Sequence, residues 1–153
     1  MSKRFGSFRA DPLLHAPAAT LTLHDMPIVG HGIDIVETAR IRRLVIEHGQ
    51  RFLDRCFTPA EMAYCDRNEK RRYEHLAGRF AAKEAILKVL GTGWSGGIAW
   101  TDIEILPSPS GQPMVTLTGE TQAIARRLGI THWFISISHI ETHATASAIG
   151  ERA

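Results

Sequence analysis

The first sustained apolar run, Ile28 to Val36, is short and rich in β-branched residues, which predicts a strand. From Glu37 to His48 the period changes: Ile41, Leu44 and Val45 fall at helical spacing behind an acidic start, which predicts a helix. Thr58-Pro59-Ala60-Glu61 has the layout of a helix start, with threonine as cap, proline in the first turn and glutamate able to reach back. The longest helix is expected from about Lys70 to Leu90, stopped by Gly91. Thr101–Leu106 and Met114–Thr118 read as strands joined by the turn-rich Pro107–Gly111. A further helix is expected over Gly119–Leu128, then a hairpin of Trp133–Ser138 and Ala144–Ile149. The pattern describes an α+β fold, a mostly antiparallel sheet packed against a long central helix and shorter helices.

The 153 residues suit one domain, and 44% apolar against 22% charged residues supply a core and exclude wholesale disorder. Eighteen Lys plus Arg against sixteen Asp plus Glu leave a net charge of +2, too near zero for a general nucleic-acid binder. No apolar run approaches the length of a membrane span, so no membrane partner is expected. Cys56 and Cys65 fit neither a C-x-x-C site nor a disulfide framework and read as reduced thiols of a cytoplasmic protein. Residues 1–27, with Lys3, Arg4, Arg9 and three prolines, show no periodicity. They read as a mobile extension or the product of an upstream start. A targeting peptide is the alternative, but His15 and Pro17 interrupt its apolar stretch. The folded domain is expected over 28–153.

The stretch Leu76–Leu90, LAGRFAAKEAILKVL, is apolar right round the helix and therefore expected to be enclosed. It nevertheless carries Arg79 and Lys83 one turn apart, and Glu84 and Lys88 one turn apart. Buried charges need a partner, a ligand or a metal. The bland reading of Glu84 and Lys88 is an ordinary surface pair. Asp34 lies in an apolar strand beside Gly30 and Gly32, where close backbone approach is expected. It is either a cap for the following helix or, with Glu84, one of two carboxylates able to hold a hard cation such as Mg2+.

GIDIVETARI, then GRFAAKEAILKVLGTG, then SISH resemble the holo-acyl-carrier-protein synthases, small 4′-phosphopantetheinyl transferases, over about residues 28 to 150. The resemblance implies that fold, and transfer of the phosphopantetheine arm of coenzyme A to a serine of apo acyl carrier protein, releasing adenosine 3′,5′-bisphosphate. It implies Asp34 and Glu84 as Mg2+ ligands, and Glu84, Lys88 and His139 as catalytic residues. Lys70, Arg71, Lys88, Gly91, Thr92, Gly93 and His139 would bind coenzyme A. Lys70-Arg71-Arg72 would grip its 3′-phosphate, unless that run is merely a solvated basic face. His139 would come from a neighbouring subunit of a homotrimer. Arg40 and Arg43 would dock an acidic carrier, and the role of Lys83 is left open. The acceptor of the serine proton stays open among Asp34, Glu84 and a water.

One departure is His143, where the family places an aromatic residue. Three other signals are discounted. Gly91-x-Gly93-x-x-Gly96 follows a helix, whereas a dinucleotide loop follows a strand. His139 and His143 lack a zincin helix, and Ser138 and His139 are strand neighbours facing opposite ways. The rival function is a noncatalytic basic module binding an acidic protein or RNA.

Overall fold

The structure, a computed structural model, describes residues 27–93 and 97–152. Residues 1–26 of the expected extension and Gly96 of the glycine motif lie outside the described residues. Strand β1 (Ile28–Glu37) leads into α1 (Thr38–Cys56), α2 (Pro59–Cys65) and, after a 3-10 turn at Glu69–Arg71, α3 (Arg72–Leu90). A 3-10 turn at Trp100–Asp102 precedes β2 (Ile103–Pro107) and β3 (Pro113–Leu117), followed by α4 (Gly119–Arg127), β4 (His132–His139) and β5 (His143–Glu151).

The strands form two sheets, both antiparallel: β1-β5-β4, and the ribbon β2-β3. Alternation along β5 explains how α3 lies so close to the larger sheet. Ala144, Ala146, Ala148 and Gly150 are buried, leaving a shallow surface. On β1, a Cβ at Gly32 would stand 2.0 Å from the carbonyl oxygen of Ala85, so the close approach expected at that glycine is real. With α1, α2, α4 and β2 packed around its other sides, α3 buries residues on every face, as its composition requires.

Several boundaries differ from the expectation. The first helix does not end at His48. It resumes after a break at Gly49 (φ 55°) and runs to Cys56, because Leu53 and Cys56 turn into the core. Residues 70 and 71 belong to the 3-10 turn rather than to α3, and residues 101 and 102 to the second 3-10 turn rather than to β2. The Thr58–Glu61 start forms as read, with both reciprocal capping bonds present. Cys56 and Cys65 are free and buried, and burial pushes each thiol up to about 11. No helix among the described residues is long and apolar enough to cross a membrane.

Candidate active site

Two clusters of functional side chains lie toward opposite ends of α3. The first is built where β1 crosses the C-terminal half of that helix. Asp34 does not cap α1, whose N-cap is Glu37 and has no side-chain capping bond. It turns toward α3, where Lys88 Nζ donates to Asp34 Oδ1 at 2.9 Å and to the Ile33 carbonyl at 2.6 Å. Lys88 thus reaches across to the strand and does not form the expected surface pair with Glu84. Glu84 is half-buried beside them. Burial, and then the charge of Asp34, raise its carboxyl above the usual range, while Lys88 and Arg40 pull it back. Two carboxylates near enough to repel, with a lysine ammonium already drawn onto one, form a donor set suited to a hard divalent cation. Among the described residues no group of three or more His, Cys, Asp or Glu gathers as a closed metal cage. A two-carboxylate site leaves the remaining positions to water and substrate oxygens.

Gly91 ends α3 in the left-handed region (φ 70°) and starts the Gly91-Thr92-Gly93 segment at the same end, its glycines exposed and Thr92 half-buried. Arg40 and Arg43 are exposed on α1, and Arg40 is close enough for its charge to act on Glu84.

The second cluster surrounds the N-terminal end of α3. His139, the last residue of β4, places Nδ1 2.9 Å from Glu74 Oε2 and 3.1 Å from a terminal nitrogen of Arg71. Arg71 Nε also donates to Glu74 Oε2 at 3.1 Å. Arg72 is held by Asp66 instead, at 2.6 Å, while Lys70 is exposed. Beneath His139 is a cavity of about 180 Å³ lined by Tyr64, His75, Arg79, Pro107 and Pro113, among others. Arg79 is 7% exposed, lies 4.0 Å from the centre of the Tyr64 ring, and leaves Nε without a partner; His75 Nδ1 is likewise buried and unpaired. Orphaned buried polar atoms facing a cavity suit a polar or anionic ligand. Sequence reading singled out neither Tyr64 nor Glu74, and noted Arg79 only as a charge.

The structure therefore does not gather all the expected site residues in one place within a chain. Glu74 and Lys88 are fourteen residues apart on one helix, about 21 Å along its axis at 1.5 Å per residue. Asp34, Glu84, Lys88 and Gly91–Gly93 lie toward one end, and Arg71 and His139 at the other.

Residues 30–148 match the model of the 4′-phosphopantetheinyl transferase superfamily. The chain belongs to that family. Among curated relatives, a holo-[acyl-carrier-protein] synthase of Koribacter versatilis is 44% identical over 124 residues, 81% of this chain and 98% of the relative. The crystal structure of the holo-[acyl-carrier-protein] synthase of Neisseria meningitidis superposes with a TM-score of 0.74 at 34% identity, covering 82% of this chain and 99% of that one. That of Helicobacter pylori, solved in complex with coenzyme A, gives 0.69 at 35% identity, covering 79% and 99%. The family resemblance and the α+β architecture read from the sequence are both borne out.

Within this transferase fold, the residue whose place the sequence left open, Lys83, proves to be structural. It is fully buried, and Nζ donates to Glu61 Oε2 (2.7 Å), the Cys56 carbonyl (2.8 Å) and the Trp100 carbonyl (3.0 Å). Burial lowers its affinity for the proton, and the Glu61 carboxylate opposes that. Glu61 had been legible only as a capping residue. Its second oxygen also accepts from the Ile105 backbone at 3.0 Å, tying α2 to β2.

Proposed function

We propose that this transferase is a holo-acyl-carrier-protein synthase, moving the 4′-phosphopantetheine arm of coenzyme A to a serine of apo acyl carrier protein. The observation that carries the reading is the convergence of Asp34, Glu84 and Lys88 where β1 crosses α3, in a chain of this family. The names of the relatives and the coenzyme A complex of the Helicobacter pylori protein support the substrate pair.

In this reading Asp34 and Glu84 are the residues that would hold Mg2+, next to the bound coenzyme A. When bound, the ion supplies positive charge to the phosphoryl oxygens on which negative charge develops. Lys88 exchanges part of its hold on Asp34 for a pyrophosphate oxygen, adding fixed positive charge where the leaving group departs. The serine oxygen forms a bond to the phosphorus bearing the pantetheine arm. The bond from that phosphorus to the bridging oxygen breaks, and adenosine 3′,5′-bisphosphate leaves with the electron pair. The serine proton passes to a water positioned by Glu84. Gly91, Thr92 and Gly93 let backbone approach the nucleotide.

Lys70, Arg71 and His139 bind the phosphate end of the nucleotide, above the cavity lined by Arg79 and His75, whose Nε and Nδ1 atoms are unpaired. Because the two clusters are too far apart within one chain, each complete site takes its His139 end from a second copy, in a homotrimer. The sheet face turned away from α3 supports this: Ile33 (59%), Ile35 (66%) and Phe134 (52%) are exposed on it, a surface a second copy would cover. Arg40, whose charge reaches Glu84, and Arg43, exposed on the same helix, meet the acidic carrier, and the reaction would run in the cytoplasm.

The test follows the arm itself. Coenzyme A labelled on its pantetheine portion is incubated with the protein, Mg2+ and apo acyl carrier protein. Label is expected on the carrier, and to be abolished by chelator or by changing the carrier serine to alanine. Label that stays on coenzyme A with several apo carriers would overturn the function.

A further inference from the structure

Glu74 has no part in the roles assigned so far, yet it makes the shortest contact to His139. The two side chains are largely enclosed, 14% and 20% exposed. Both Glu74 and Arg71 address the same ring nitrogen, at 2.9 Å and 3.1 Å, and that nitrogen cannot donate to one and accept from the other. If Nδ1 accepted from Arg71, its lone pair would face a carboxylate oxygen at 2.9 Å, which is repulsive. If Nδ1 carries the proton, it donates to Glu74, and Arg71 is satisfied by its own bond to the same carboxylate. His75 stands edge-on to the imidazole at 5.5 Å between ring centres and limits its rotation. The charged or titratable groups around the ring are thus Glu74, Arg71 and His75 from the helix side, with Arg79 and Tyr64 deeper in the cavity.

We propose that Glu74 is a positioning residue that fixes His139 with its proton on Nδ1, so that Nε2 is the ring atom offered to a phosphate oxygen of the nucleotide. Once the ring is doubly protonated, Nε2–H is then the donor that faces the ligand, and Glu74 holds the opposite edge. Arg71 acts through Glu74 as well, by holding its carboxylate in place. The proposal rests on His139 being a phosphate-binding residue.

The test uses the full chain with 15N-labelled histidine, and proton–nitrogen correlation spectra taken at a pH where His139 is neutral. His139 signals are assigned by their loss in His139→Gln. The wild-type protein is expected to show Nδ1–H and bare Nε2. Glu74→Gln, whose carbonyl can still accept, keeps that tautomer, while Glu74→Leu loses it. Affinity for adenosine 3′,5′-bisphosphate is expected to fall about tenfold in Glu74→Leu and in His139→Gln, with no further fall in the double variant. Glu74→Gln is expected to recover most of the loss. A wild-type His139 protonated on Nε2 overturns the proposal, as does a tautomer indifferent to Glu74→Leu. So does a Glu74-dependent tautomer with unchanged bisphosphate affinity. Failure of the underlying functional reading shows separately, as wild-type protein that moves no pantetheine arm to a carrier.

Discussion

Lys88 lies one helical turn beyond Glu84, yet its ammonium sits 2.9 Å from Asp34 on the neighbouring strand. The lysine thus occupies the negative potential that the two carboxylates create, and in the proposed reaction a cation or a pyrophosphate would have to displace it. Lys88 is half exposed, so the contact contributes little to stability, under about 1 kcal/mol. Lys88→Met is expected to leave urea unfolding nearly unchanged while lowering kcat/KM for coenzyme A by about 10²-fold or more. A large loss of stability with unchanged kinetics would reverse the assignment.

Glu84 yields a prediction of opposite sign for stability and activity. Its folded-state carboxyl is raised by burial and by Asp34, so the folded protein binds that proton more tightly than the unfolded chain does. Such a group favours folding below its unfolded value, about 4.3, and that favour is lost as pH rises through the raised folded value. With chelator present, Glu84→Gln is therefore expected to melt higher than wild type at pH 7, the gap closing toward pH 4. Mg2+ should raise the melting point of wild type and not of the variant, and transfer should be abolished.

Glu74 titrates the other way. Burial opposes ionisation, but bonds from Arg71 and His139 outweigh it and hold the carboxyl below the usual range. Its contribution is present above the unfolded value and lost as pH falls through the lowered folded one. Glu74→Gln should melt below wild type at pH 7, with the gap narrowing only as pH falls below the unfolded value of about 4.3, as read by circular dichroism.

The buried pair of Lys83 and Glu61 separates stability from chemistry. Lys83→Met strands a carboxylate that is fully enclosed and should cost about 3–5 kcal/mol. Adding Glu61→Gln removes the stranded charge while its amide oxygen can still accept from the Ile105 backbone, and should recover much of that loss in denaturant titrations. A double variant no better than the single one would contradict this view of the hub.

These two residues also mark where the sequence was readable and where it was not. The all-round apolar character of α3 announced an enclosed helix. The glycines beside Asp34 announced a strand pressed against something, and Gly32 indeed meets Ala85. The capping box at Thr58 was legible because its bonds are local. What a capping glutamate does with its other lone pairs is set by tertiary contacts, so the Glu61–Lys83 bond left no trace in spacing. His48-Gly49-Gln50 resembled a helix end, but burial of Leu53 and Cys56 carried the helix on past the break. The motifs placed Lys88 and His139 in one site; helix length alone separates them within the chain.

The most direct test of that separation mixes two impaired proteins, assayed at a coenzyme A concentration low enough that His139→Ala alone modifies little carrier. Glu84→Gln destroys the carboxylate end of the site and His139→Ala the opposite end, and the two are co-expressed so that subunits assemble at random. If each site joins the two ends from different copies, about a quarter of the sites in an equal mixture are intact at both, and carrier modification should return to roughly that fraction of wild type. A co-expressed mixture no more active than the better of the two variants alone, in assemblies shown by native mass spectrometry to contain both chains, would contradict that each site is shared between two copies.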